Sequence, residues 1–269
     1  MAYFEHDGVT LYYELHGSGP PLMLIAGLAS DSQSWLPVVD ELAKQFTLIL
    51  LDNRGVGRST QDCPISIDLM ADDCSALIHH LGMSKVSLLG HSMGGMVAME
   101  CAHRYPDMVD RLLLAATTAC NSARNKLLFR DWADWYAADY NRPAWFRSLL
   151  TWIFTERFFD NQQMVDGSLL YLLNYPWSQS ADAFRKQVEA IAAFDATDWL
   201  GTLAVPASII VGSEDILLPP ACSKLLSELI PAASLSVIEG ASHSIHMEQP
   251  QLFIREIVTF LQQKDEERP

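Results

Sequence analysis

Cysteine, basic charge and long apolar runs are all scarce in this chain of 269 residues. The five cysteines, Cys63, Cys74, Cys101, Cys120 and Cys222, are odd in number, widely spaced and without a Cys-x-x-Cys pair. That pattern suggests neither a disulfide framework nor a zinc site and fits reduced thiols in a cytoplasm. Lysine and arginine number 18 against 33 acidic side chains, a formal net charge of -15. Such a surface repels phosphate backbones and anionic lipid headgroups, so nucleic acid and membrane are not expected partners. No apolar stretch approaches the ~20 residues of a membrane span, and the start, MAYFEHDGVTLYYELHG, has no basic region followed by an apolar one. Internal repeats and low-complexity runs are also missing. A soluble cytoplasmic protein is expected, with oligomeric state left open.

What is present is ample core material, 49% hydrophobic against 19% charged residues, in short apolar runs that alternate with helical patterns. This is the signature of βα units around a mainly parallel sheet. Strands are expected at residues 9–15, 22–25, 46–51, 86–89, 112–116, 208–211 and 235–238. The turn Asp7-Gly8 implies an antiparallel pair at the start. Ile67, Met70, Ala71, Cys74, Leu77, Ile78 and Leu81 recur at helical spacing, with Ser66 placed to cap the helix and Gly82 to end it. The alternation breaks between about residues 121 and 200, where helical patterns follow one another. That stretch is expected to be a helical cap inserted between core segments 1–120 and 201–269. It holds Trp132, Trp135, Trp145, Trp152, Trp177 and Trp199, six of the seven tryptophans, with Tyr136, Tyr140, Tyr171 and Tyr175. Collectively these rings imply the lining of a ligand pocket. The tail QQKDEERP reads as a frayed, solvated end.

Gly90-His91-Ser92-Met93-Gly94 matches Gly-x-Ser-x-Gly between an expected strand and an expected helix, the context a nucleophile elbow requires. A strained turn lifts the serine oxygen clear of the sheet, and glycine is wanted two residues to either side because a side chain would collide there. A serine needs a base, and the base an orienting acid. The candidates lie just past strand ends, where sites of open α/β sheets form: Asp215 with Glu214 as its rival, and His243 with His246 as its rival.

These segments resemble the α/β-hydrolase superfamily, in its short, cap-bearing branch. The resemblance is carried by Gly90 to Gly95, by Gly212 to Asp215, and by Gly240 to Pro250 with His243, Glu248 and Pro250. It extends to the turn Asp52-Asn53-Arg54-Gly55-Val56-Gly57-Arg58-Ser59 and to Ala26-Gly27-Leu28. It implies that fold, a mostly parallel central sheet flanked by helices with an inserted helical cap. It also implies catalytic roles for Ser92, Asp215 and His243, an oxyanion hole from the backbone N–H groups of Met93 and Leu28, and no metal or organic cofactor. Asp52, Arg54 and Ser59 are expected to hold a surface turn through local hydrogen bonds. His91 precedes the serine without acting as base, and His79, His80 and His103 are structural.

The expected activity is hydrolysis of a small, largely apolar carboxylic ester or lactone, a small molecule being the only partner expected. Serine at the elbow argues against the aspartate-using dehalogenase and epoxide-hydrolase branches. Enol-lactonases of the 3-oxoadipate type, carbon–carbon bond hydrolases, cofactor-free perhydrolases and a ligand receptor on the same fold stay open. Arg124, Arg130, Arg142, Arg147 and Arg185 are the side chains available to receive a substrate carboxylate.

Overall fold

The computed structural model describes residues 2–139 and 141–263. Tyr140 and residues 264–269, most of the tail read above as frayed, lie outside the described residues. The chain opens as an antiparallel hairpin, β1 (Ala2–His6) and β2 (Val9–His16). Its turn residues Asp7 and Gly8 both have positive φ, 54° and 74°, as the tight two-residue hairpin turn demands. Then follow β3 (Pro21–Ile25), α1 (Leu36–Leu42), β4 (Thr47–Leu51), α2 (Ile67–His80), β5 (Val86–His91), α3 (Met93–Arg104) and β6 (Val109–Ala115). After a long helical excursion the chain resumes with β7 (Ala207–Gly212), α9 (Pro220–Leu229), β8 (Ser234–Ile238), α10 (Ile245–Glu248) and α11 (Pro250–Gln262). The eight strands form one sheet in the order β1-β2-β4-β3-β5-β6-β7-β8. β2 joins β4 antiparallel, and every pairing from β4 to β8 is parallel.

The central strands are apolar on both faces because helices cover both. Leu22, Leu24, Leu48 and Leu50 face the side of α1 and α11, where Trp35, Val38, Phe253 and Ile257 complete the packing. The alternate residues Met23, Ile25, Ile49 and Leu51 face α2 and α3. Ser66 caps α2, its hydroxyl oxygen accepting from the Leu69 N–H at 3.2 Å. β6 starts three residues before its expected position, because the polar pair Asp110-Arg111 hides its first half. Arg111 is buried all the same, donating to the carbonyls of Phe260 (3.3 Å) and Gln263 (2.8 Å).

Between β6 and β7 run α4 (Ala123–Ala138), α5 (Arg142–Ile153), α6 (Glu156–Phe159), α7 (Gln162–Leu173) and α8 (Ala181–Ala193). The two ends of this excursion are clasped together. Cys120 pairs with Asp195 in an isolated antiparallel bridge, and Ala196 N–H donates to Ala119 C=O at 2.9 Å. Among the described residues no helix is long and apolar enough to cross a membrane.

Candidate active site

Ser92 lies between β5 and α3 with φ 55° and ψ -120°, a conformation that costs a non-glycine residue roughly 1–3 kcal/mol. Three hydrogen bonds hold it there. Its N–H donates to Ala115 C=O (2.9 Å), while its own C=O accepts from Gly95 N–H (2.9 Å) and Thr117 Oγ1 (2.7 Å). The flanking glycines are demanded by space: a Cβ on Gly90 would lie 2.2 Å from the Gly94 oxygen, and one on Gly94 would lie 2.0 Å from the Ile25 oxygen.

Asp215 follows β7 and His243 follows β8, and both are buried. His243 Nδ1 and Asp215 Oδ2 are 2.8 Å apart. The other carboxylate oxygen, Oδ1, accepts from the N–H groups of Leu217 (2.9 Å) and Leu218 (2.8 Å). With Oδ1 occupied by main chain, Oδ2 is left aimed at the imidazole. Glu214 points into solvent.

The His91 ring packs against both other imidazoles, its centroid 4.9 Å from that of His243 and 4.8 Å from that of His246. Burial, reinforced by the neighbouring His243, pushes the His246 imidazole down to about 3. Burial, with His246 and His243 adding to it, holds His91 well below the usual histidine range. His91 Nε2 donates to the main-chain carbonyl of His243 at 2.9 Å. Glu248 ties the histidine turn to the helical excursion: it accepts from Ser242 N–H (2.8 Å), Thr155 N–H (2.9 Å) and Thr155 Oγ1 (2.7 Å).

The loop after β3 turns tightly at Gly27-Leu28-Ala29-Ser30, with Ser30 N–H donating to Gly27 C=O at 3.2 Å and Ala29 at φ 55°. It packs directly on the serine, since a Cβ on Gly27 would lie 3.1 Å from Ser92 Cβ. The expectation of a surface turn around Asp52 and Arg54 is corrected here. Asp52, Asn53 and Arg54 are 0%, 1% and 2% exposed, and beside the expected local bonds to Asp52 from Arg58 N–H and Ser59 Oγ they bond to other parts of the fold. Asn53 Nδ2 donates to Ala26 C=O (3.1 Å), at the root of the β3 loop. Arg54 makes a two-pronged ion pair with Asp73 of α2, both contacts at 2.6 Å. Asp52 accepts from the N–H groups of Ser32 (2.8 Å) and Arg58 (2.9 Å). The turn buttresses the floor of the site.

Ser92, Met93, Leu28 and His243 all border one cavity of about 450 Å³. Of the aromatic residues singled out in the sequence, Trp132, Trp145, Tyr136, Tyr171 and Tyr175 line it. Trp135 is exposed, Trp177 stacks on Arg58 at 3.7 Å, and Trp199 stacks on His103 at 4.3 Å. Phe129, Phe146, Phe154 and Phe184 line the cavity without having been marked by sequence; nothing in their spacing separates them from core phenylalanines. Among the described residues no lysine, arginine, aspartate or glutamate lines the cavity. Arg124 instead donates to the Ile216 and Leu217 carbonyls, Arg142 pairs with Asp139, and Arg185 with Asp134. None of the five arginines available to receive a substrate carboxylate is among the described residues that line the cavity. Among the described residues no group of three or more His, Cys, Asp or Glu is arranged to hold a metal ion.

The family model for the alpha/beta hydrolase fold matches residues 20–250. The chain belongs to the α/β hydrolase family. A relative is the putative carbamate hydrolase RutD of Azorhizobium caulinodans, 28% identical over 279 aligned residues that cover 99% of this chain and all of the relative. Among solved structures, a thermophilic esterase from Thermogutta terrifontis is 28% identical, with a TM-score of 0.84 and 96% of each chain covered. The enol-lactonase from Burkholderia xenovorans LB400 is 25% identical, with a TM-score of 0.88 over 97% of this chain and all of that one. This α/β hydrolase thus sits among proteins that cleave different bonds on one scaffold, so the family alone does not select a substrate.

Proposed function

We propose that this α/β hydrolase is a serine hydrolase of small, neutral, largely apolar carboxylic esters or lactones. Its core is residues 1–120 and 201–269, and residues 121–200 form a cap that roofs the substrate. Ser92 Oγ attacks the acyl carbon as its proton passes to His243 Nε2. Asp215 holds Nδ1–H and stabilises the imidazolium. The carbonyl electron pair moves onto oxygen, which accepts from the N–H groups of Met93 and Leu28. Met93 heads α3, where N–H groups have no acceptor within the helix and the helix dipole favours negative charge. Collapse expels the alcohol oxygen, which takes the proton from His243. Water then attacks the acyl-enzyme, His243 again receiving a proton, and the acid leaves with Ser92 restored.

The observation that carries this reading is the cavity itself: about 450 Å³, bordered by both Ser92 and His243, with no lysine, arginine, aspartate or glutamate among the described residues of its wall. An anionic substrate, whether an ionised carbamate of the kind named for the RutD relatives or a lactone bearing carboxylates, loses its hydration there without gaining a cation. An apolar acyl chain gains from the same wall. The test is turnover across neutral p-nitrophenyl esters, neutral lactones, a carbamate and a dicarboxylate-derived lactone, with fluorophosphonate labelling of Ser92. Neutral esters or lactones are expected to dominate. Faster turnover of the dicarboxylate lactone by orders of magnitude would replace this reading with an enol-lactonase one. Labelling or ligand binding without turnover of any member would favour a receptor.

A further inference from the structure

Gln187 lies on α8, 158 residues along the chain from the β3 loop, and is wholly buried. Its Oε1 accepts from the Ala29 N–H at 3.2 Å. That contact falls on the one residue of the turn whose backbone is strained, a non-glycine at φ 55°. A conformation of this kind persists only where its surroundings over-determine it. The Gln187 amide is itself fixed on both ends. Its Nε2 donates to Arg54 C=O at 3.3 Å, and its Oε1 also accepts from Gln179 Nε2 at 2.9 Å. Gln179 Nε2 donates in addition to Gly55 C=O at 2.7 Å, and the Gln179 carbonyl accepts from Tyr136 Oη at 2.8 Å. Because each Nε2 faces carbonyl oxygens, reversing either amide would set oxygen against oxygen, so the orientation is determined. Arg54, whose carbonyl anchors one end, is locked by its ion pair with Asp73.

We propose that Gln187 is a positioning residue for the oxyanion hole: from the cap it holds the Ala29 amide, and so sets the direction of the adjacent Leu28 N–H. The inference rests on the serine-hydrolase reading above. It makes transition-state stabilisation depend on the seating of α8 against the core, through two amides that never touch the reacting atoms. Removal of an oxyanion donor matters where charge develops and little where neutral substrate merely binds, and this distinguishes positioning from a general role in packing.

The experiment compares wild type with Gln187→Met and Gln187→Glu on p-nitrophenyl butanoate. It also measures inhibition by an alkyl trifluoromethyl ketone, whose tetrahedral adduct on serine bears an oxyanion, and by a chain-matched alcohol that bears none. Gln187→Met is expected to lower kcat roughly 10- to 100-fold with KM within about twofold. Affinity for the trifluoromethyl ketone should fall by the same factor as kcat/KM, with alcohol affinity following KM. Gln187→Glu keeps an oxygen for the Ala29 N–H and, with its buried carboxyl protonated so that the O–H donates to Arg54 C=O in place of Nε2, is expected to recover most of the lost kcat. An unchanged kcat, or a loss of alcohol affinity and a rise in KM as large as the fall in kcat, would overturn the inference while leaving the serine-hydrolase reading intact. Should Gln187→Met fail to fold, Gln187→Asn withdraws the amide by one methylene and gives the same comparison. Wild-type turnover that vanishes in Ser92→Ala is the baseline; without it the serine-hydrolase reading fails and this inference falls with it.

Discussion

His91 donates its Nε2 proton to the main-chain carbonyl of His243 at 2.9 Å, so the residue before the elbow serine holds the backbone of the proposed base. That donation keeps the hydrogen on Nε2, and burial keeps the ring neutral. His246, buried against Trp35, His91 and Phe253, completes a set of three histidine rings of which only His243 meets a carboxylate in the site.

The buried neutral rings make the fold acid-sensitive. His246 has its value lowered from 6.5 to about 3. Between these two pH values the unfolded chain binds a proton there that the folded chain refuses. Stability is therefore lost as pH falls through that window, by ~1.4 kcal/mol per pH unit for one fully displaced proton, and the loss stops below it. His246→Phe, which keeps an aromatic ring of similar size, is expected to flatten this limb in urea melts run from pH 7 to 4. Parallel limbs in variant and wild type would show that His246 does not cause it.

Ser92 is predicted to hold its position at the expense of stability. Ser92→Ala should abolish hydrolysis and fluorophosphonate labelling with the fold retained. Ser92→Gly should be equally inactive and more stable than Ser92→Ala by about 1 kcal/mol, because glycine adopts a φ of 55° without the clash a Cβ makes. Chemical denaturation of both variants checks this. Equal midpoints would mean that the elbow is not strained.

Asp215→Asn should lower kcat far more than Glu214→Gln, since Asp215 Oδ2 lies 2.8 Å from His243 Nδ1 whereas the Glu214 side chain is in solvent. In a protease triad the equivalent change costs roughly 10⁴ in kcat. A loss of at least about 100-fold against less than about twofold is expected from steady-state rates. The reverse ranking would reassign the acid.

Catalytic efficiency on p-nitrophenyl esters should climb with acyl length and then fall. Each methylene buried against apolar wall contributes about 0.8 kcal/mol, or about fourfold in kcat/KM, until a cavity of about 450 Å³ is full. Leu150→Trp, on the cavity wall, should move the optimum to shorter chains. A flat profile in wild type would argue against an apolar acyl site.

The sheet was legible because its signal is local. Runs such as Leu22 to Ile25 and Leu48 to Leu51 are apolar at every position, and a strand covered by helices on both faces requires this. The candidate residues were legible for a related reason. A glycine two residues either side of Ser92, and an acid and a histidine just past two strand ends, are patterns written within a few residues of one another. Arg111 shows the limit of such reading: a charged side chain inside β6 is satisfied by carbonyls of α11 and its end, about which neighbouring residues say nothing.

By itself, then, the sequence determined the parallel α/β architecture, the elbow at Ser92 and the loops that hold Asp215 and His243, because each follows from local periodicity and turn chemistry. Tertiary structure decided which histidine meets the carboxylate. It decided that Asp52 and Arg54 are buried braces, that phenylalanines share the cavity wall with tryptophans and tyrosines, and that Arg124, Arg142 and Arg185 are engaged elsewhere. It also brought Gln187 of α8 onto the strained amide of Ala29. These outcomes depend on how elements pack on one another, both within the core, as for Arg54 on Asp73 and His243 on Asp215, and where the helices after β6 seat against it. Contacts between side chains more than a hundred residues apart are selected by packing and by the need of every buried polar group for a partner, neither of which leaves a periodic trace in the chain.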